Sequence, residues 1–320
     1  MKNILSFIIT TMFGMNMVFA QKPNKSEHIG LYTMDIGTIE TTIISDGHLL
    51  VNPLQAEFAQ NVDSTEVAGV LEEHLVSTSQ IDLGMNILFL KNKEKLILID
   101  VGAGNVFNSE NGRLVENLQY AGISANEITD IVLTHAHPDH IGGLTDRKGN
   151  LTFPNAKVYL AQEEYNFWMH SKPDFSKSTM TDKAHIQMLV DVAQANIKAV
   201  NDNLYLFRKE ETLLGCLQML PAPGHTPGHT VIRIFSEDKE LYHIADVVHS
   251  EIISFEYPEW IYNSDTNYQE SIETRKKILA QLVEDKALFF AYHLPWPGLG
   301  YVKTQSNGYK WIQKKIAMPY

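Results

Sequence analysis

From Gly30 to Asp46, apolar and polar positions alternate through Leu31, Ile36, Ile39, Thr41, Ile43 and Ile44, which predicts extended chain with one buried face. Asp46-Gly47 reads as the turn that closes this segment. Residues 50–80 have the mixed pattern of loop and helix, an N-terminal elaboration ahead of the main body. Two apolar runs, Ile87-Leu88-Phe89-Leu90 and Leu96-Ile97-Leu98-Ile99, flank a polar stretch from Lys91 to Lys95 and predict a hairpin ending on Asp100. A helix is predicted from Arg113 to Ala121. Ser124 and Glu127 have capping-box spacing. Ile131-Val132-Leu133 and Val158-Tyr159-Leu160 read as buried strands. Residues 180–201 carry the longest helical pattern, with Ile186, Leu189, Val190, Val192, Ala193 and Ile197 three to four apart. Strands follow at Leu204–Phe207, Leu213–Leu220, Val231–Phe235, Leu241–Ala245 and Leu288–Ala291, with a helix at 268–284. Two sheets covered by helices satisfy this order in one α/β domain. No fixed-period repeat or linker divides it.

The first 20 residues stand apart. Lys2, the apolar run from Ile4 through Val18-Phe19 and small Ala20 predict a signal peptide, residues 1–20, cleaved before Gln21. The protein is therefore expected to be exported, periplasmic or secreted. An uncleaved anchor is the alternative, but no later stretch is long and apolar enough to span a bilayer, so no stable membrane insertion is expected after cleavage. The net charge of −12 repels phosphate backbones and argues against nucleic acid as a partner. Cys216 is the single cysteine, which excludes an internal disulfide and leaves stability to the core and to bound metal.

The chemistry concentrates after the strand at 131–134. His135 and His137, two apart in extended chain, project to one side. Pro138 ends that path, and Asp139 and His140 follow where a helix can begin. Four ligand-type residues in six positions suit two metal ions better than one, and imidazole with carboxylate favours zinc or another borderline divalent ion. His225, in the rigid turn Pro223-Gly224-His225-Thr226-Pro227-Gly228-His229, Asp246 and His293 all sit at predicted strand ends and are candidate further ligands.

Thr134-His135-Ala136-His137-Pro138-Asp139-His140-Ile141-Gly142-Gly143 resembles the signature T-H-x-H-x-D-H-x-G-G of the metallo-β-lactamase fold, and Pro223-Gly224-His225-Thr226 resembles its third motif. The resemblance runs from about Gly30 to the C-terminus. It implies an αββα sandwich with two metals at one edge of the sheets, His135, His137 and His225 on one ion, Asp139, His140 and His293 on the other, and Asp246 bridging. Asp100 is implied to support the ligand loop. Ala245 departs from the usual glycine before the bridging aspartate. His229 is read as support or packing behind the ligands, and His48, His243 and His249 as structural.

Asp246-Val247-Val248-His249, Pro258-Glu259-Trp260, Asp265, Arg275 and the stretch His293–Gly300 resemble the methyl-parathion-hydrolase-like branch, which includes quorum-quenching N-acyl-homoserine lactonases. This implies attack by a metal-bridging hydroxide, with Asp139 and Asp246 as the catalytic carboxylates. The expected substrate is a small ester or lactone, foremost an acyl-homoserine lactone. Phe167, Trp168, Met169, Phe255, Trp260 and Trp296 are candidates for its acyl pocket, and the 180–201 helix for a lid. An organophosphate or arylester hydrolase is the alternative within the branch, and a non-catalytic metal-binding protein the alternative outside it. A homodimer is compatible with the pattern.

Overall fold

Alternation along the strands becomes two differently occupied faces in the computed structural model, which describes residues 30–107, 110–306 and 308–316. The signal peptide of the sequence reading lies outside these residues. One seven-stranded sheet runs in sequential order through β1 (Leu31–Ile36), β2 (Ile39–Val51), β3 (Ile81–Asn92), β4 (Lys95–Ile99), β5 (Asp130–Val132), β6 (Lys157–Ala161) and β7 (Leu204–Phe207). Its first four strands pair antiparallel and the rest parallel. The second seven-stranded sheet contains β8 (Thr212–Leu213), β9 (Leu217–Pro221), β10 (Thr230–Ser236), β11 (Lys239–Ala245), β12 (Phe289–Ala291), β13 (Leu299–Gln305) and β14 (Gly308–Gln313). Helices α1 (Ser64–Glu73), α2 (Leu114–Tyr120), α3 (Pro138–Ile141), α4 (Gln162–Trp168), α5 (Lys183–Ala199), α6 (Ile253–Glu256) and α7 (Tyr268–Asp285) complete the chain.

Leu88, Leu90, Ile97, Ile99 and Val132 face Leu217, Met219, Ile232, Ile234 and Phe290 between the sheets. The alternate residues Ile87, Phe89, Leu98, Ile131, Val158 and Leu160 face outward onto α2 and α5, where Leu114, Leu118, Leu189 and Ile197 cover them. On the far side, Val231, Ile244 and Phe289 meet Leu279 and Leu282 of α7. The architecture is therefore an αββα sandwich in one domain. Each large aliphatic side chain buried in these layers contributes about 1.5–3 kcal/mol.

Three expectations change. The chain does not turn at Asp46-Gly47; β2 passes through it with a bulge between Ser45 and Gly47, and the turn lies earlier, between Ile36 and Ile39. The segment 213–220 is two strands, parted by a tight turn in which Leu214 and Gly215 have φ of 53° and 72°. The edge hairpin β13–β14 was not expected, because its outward residues leave a weak alternation. The elaboration at 50–80 contains α1 and forms a fourth apolar cluster, in which Leu54, Phe58, Val67 and Leu71 pack on Ile252, Ile253, Trp260 and Tyr262. Among the described residues no helix is long and apolar enough to cross a membrane.

Candidate metal centre

β9, β11 and β12 run in one direction, as do β4 and β5 of the facing sheet, so the segments that leave them gather at one edge. Asp100 follows β4, and the stretch from His135 to His140 follows β5. His225, Asp246 and His293 follow β9, β11 and β12. The donor atoms of His135, His137 and His225 lie within 4.8 Å of one another, and so do those of Asp139, His140, Asp246 and His293. Asp246 stands between the sets. Its Oδ2 is 3.3 Å from His225 Nε2 and 3.2 Å from His293 Nε2, and its Oδ1 is 3.2 Å from His140 Nε2. Asp139 Oδ2 is 3.2 Å from His293 Nε2.

These residues fit two cations. His135 Nε2, His140 Nε2 and Asp246 Oδ1 are buried without a hydrogen-bond partner, and leaving such groups unmatched costs free energy that a cation between them removes. Imidazole nitrogen and carboxylate oxygen are the donors that borderline divalent ions take. Burial pushes the Asp246 carboxyl upward, but the ring of His140, His293, His249 and His135 overrides it and holds the group well below the usual carboxylate range. The centre is thus built around a fixed negative charge.

Comparison with known proteins agrees with this geometry. The model of the metallo-β-lactamase superfamily matches residues 82–292, the span that carries six of the seven ligand-type residues and ends immediately before the seventh, His293. The chain belongs to the metallo-β-lactamase superfamily. Among solved structures it is similar to AidC, a dizinc quorum-quenching lactonase in complex with the product N-hexanoyl-L-homoserine, at 38% identity and a TM-score of 0.87, covering 90% of this chain and 98% of AidC. It is also similar to the hydrolase AbOPH, at 27% identity and a TM-score of 0.83, covering 91% and 99% of the two chains. A curated N-acyl homoserine lactonase from Bacillus sp is 24% identical over 176 residues, 49% of this chain, and the chain spans 60% of that relative's length.

What surrounds the superfamily's donors in this chain explains how they are held. Asp100 Oδ1 and Oδ2 accept from Thr134 N and Thr134 Oγ1, both at 2.8 Å, and His140 Nδ1 lies 2.9 Å from Oδ2. His229 accepts from the Asp246 N–H at Nε2 (3.1 Å) and donates from Nδ1 to Ala222 O (3.0 Å). Burial drops its pKa to about 3, so it stays neutral. His225 Nδ1 meets Asp265 Oδ1 at 3.0 Å, and Asp265 lies 3.6 Å from the buried Arg275 guanidinium. Arg275 in turn donates to Val247 O, Pro258 O and Trp260 O, tying the loop after β11 to the segment between α6 and α7. Partners of this kind fix the tautomer and aim of a ligating imidazole. Ala245 has φ of 44°, in the left-handed region, which gives a physical reason for the glycine usual there.

Glu164 of α4 carried no signal in the sequence, yet it couples the two loops that hold the first donor set. Its Oε1 accepts from Ala136 N at 2.9 Å and Trp168 Nε1 at 2.6 Å. Its Oε2 accepts from Thr226 Oγ1 at 2.7 Å and Gly228 N at 2.8 Å. Gly228 makes the approach possible: a Cβ there would stand 2.3 Å from Glu164 N.

His249 also departs from its reading as merely structural. Its Nε2 is 3.2 Å from Asp246 Oδ2, and its ring stacks on His293 at 5.0 Å. Ser254 Oγ accepts from both His249 N and Ser250 N, which folds this loop back over the centre. The available signal was its position three residues after Asp246.

A cavity of about 130 Å³ opens over the donors, walled by Leu49, Val51, Leu83, Phe107, Met188 and Leu189. α5 supplies the last two and forms one side. None of the six expected pocket residues lines it. Trp168 is fully buried beneath His137, with ring centroids 5.7 Å apart, and Phe167 and Met169 pack on the same inner cluster. Phe255 belongs to the core under α7, and Trp260 stacks on Tyr257 at 4.3 Å. Trp296 is 37% exposed and borders a separate surface groove with His48. Phe167, Trp168, Phe255 and Trp260 went inward because α4 and the 255–260 segment turn them that way; aliphatic side chains from β2 and β3 took much of the wall.

Proposed function

We propose that this chain is a dinuclear zinc hydrolase that opens the lactone ring of N-acyl-homoserine lactones. The observation that carries the reading is Asp246, set between two donor groups at the floor of an apolar cavity. The likeness to AidC over nearly that whole chain supports a lactone as the bond broken. When bound, two divalent ions activate water as a nucleophile near neutral pH and polarise a carbonyl oxygen. His135, His137 and His225 would hold one ion and Asp139, His140 and His293 the other, with Asp246 placed to serve both sets. Asp100 and Asp265 keep the imidazoles of His140 and His225 in the tautomers that ligation needs, and His229 holds the backbone of Asp246. The wall of Leu49, Val51, Leu83, Phe107, Met188 and Leu189 accepts the acyl chain and keeps bulk water from the ester. Asp139, the least buried of the ligand-type residues and part of the cavity lining, relays a proton to the departing alkoxide. The reading includes export, on the pattern from Lys2 to Ala20.

The test is a substrate panel on metal-loaded protein: N-hexanoyl-homoserine lactone, a phosphotriester and a β-lactam. Lactone opening with the highest kcat/KM is expected. Protein carrying two metals per chain that opens no acyl-homoserine lactone contradicts the reading.

A further inference from the structure

Outside the donor set, four polar side chains line the cavity, Glu57, His185, His249 and Ser264, and among them Glu57 is the carboxylic acid. Glu57, in the elaboration ahead of α1, lines the cavity beside Ser264. Its backbone is fixed from both sides: Glu57 O accepts from Asn263 N at 2.7 Å, and the adjoining Phe58 is buried edge-on against Tyr262 at 5.2 Å. Its Oε1 accepts from Ser264 N at 2.8 Å. Among the described residues no lysine, arginine or histidine forms an ion pair with this carboxylate. A half-buried acceptor without an ion-pair partner, held rigidly in a largely carbon wall, is costly by itself. The cost is offset when a ligand brings an N–H, and small-molecule sites take their specificity from a few polar groups fixed in this way.

The lactones of the proposed reaction carry such a group, the amide N–H next to the ring. We propose, resting on the lactone-opening reading, that Glu57 is a specificity-determining acceptor for the amide N–H of N-acylated lactones. The Glu57 carboxyl keeps oxygen lone pairs beyond the bond from Ser264 N that can accept from such an amide. A lactone with a plain alkyl chain leaves Glu57 unmatched on binding, and a site built around a polar contact discriminates strongly against an analogue that lacks it.

Glu57→Gln preserves shape and keeps an oxygen for Ser264 N, while presenting an NH₂ donor in place of the second acceptor. The experiment compares steady-state kinetics of metal-loaded wild type and E57Q on N-hexanoyl-homoserine lactone and on γ-decalactone, which has no amide. KM for the acylated lactone is expected to rise about tenfold or more with kcat within about twofold, while the γ-decalactone constants move far less. Glu57→Asp, which withdraws the carboxylate by one methylene, should give a smaller rise confined to the same substrate. Metal content and melting temperature of both variants show whether the site is intact. Equal effects on the two substrates, or none on either, overturn the role of Glu57 while leaving the lactonase reading standing. A wild type that opens γ-decalactone but not the acylated lactone overturns both.

Discussion

Glu164→Gln changes one atom in a buried clamp and leaves every donor residue in place. The carboxylate receives four hydrogen bonds, two from the loop and helix around His137 and two from the loop after His225. A glutamine has one acceptor oxygen. If that oxygen keeps Ala136 N and Trp168 Nε1, the NH₂ faces Thr226 Oγ1 and Gly228 N. The threonine hydroxyl can rotate and accept, but the glycine N–H then meets a donor. The loss is one hydrogen bond to a charged acceptor, about 1.5–3 kcal/mol, together with an unsatisfied buried N–H, about 1–3 kcal/mol. Part of this is returned, because burial disfavours the ionised carboxyl and raises its pKa. A net destabilisation of about 2–4 kcal/mol follows. Both affected loops carry metal donors, so metal affinity should drop about 10- to 100-fold, as for other groups that orient ligands. Thermal unfolding and a chelator competition measure the two quantities. Glu163→Gln, whose side chain is 38% exposed beside Lys209, is the control and should change neither. E164Q with wild-type melting temperature and chelator resistance would refute the clamp.

Three further outcomes are expected. Gly224 has φ of 126°, and a Cβ there would stand 2.2 Å from Ser271 N; Gly224→Ala should cost about 3–5 kcal/mol through backbone strain and overpacking, lowering melting temperature and metal content, and near-normal values would argue against this loop geometry. Asp246→Asn should leave fewer than two metals per chain by elemental analysis and lose most turnover; full occupancy with unchanged turnover would remove Asp246 from the centre. Burial raises the Glu57 carboxyl from 4.5 to about 7, so the native state keeps a proton that the unfolded chain releases, and this group makes stability fall as pH rises from about 4.5 to 7. The difference in stability between wild type and E57Q, measured by denaturant titration across that range, should shift accordingly, and parallel profiles would contradict the shift.

The ligand-type residues were legible because four of them lie within one short stretch and the others stand immediately after strong apolar strands, features that survive without a fold. The layered architecture was legible for a related reason: Ile87 to Leu90 and Ile97 to Ile99 are buried on both faces and read as unbroken apolar runs. Where the reading failed, a tertiary contact had replaced a local preference. Asp46-Gly47 has turn chemistry, but the Asp46 carboxylate accepts from Ala103 N, Gly112 N and Leu114 N, which holds the strand on its course through a bulge. Glu164 and His249 acquire their roles from loops distant in sequence or folded back, and a lone acid on a short helix announces nothing. The cavity wall was missed because Leu49, Val51 and Leu83 precede the histidine stretch by about fifty residues or more, and aliphatic residues on strands look like ordinary core.

The central claim is a two-metal centre, shared at Asp246, that opens a lactone. Stripped protein titrated with zinc, with bound metal and N-hexanoyl-homoserine lactone opening followed on the same samples, tests it most directly. The account predicts that ring opening rises to its full rate as the second equivalent binds. Saturation at one equivalent, or two bound equivalents with no ring opening, would contradict it.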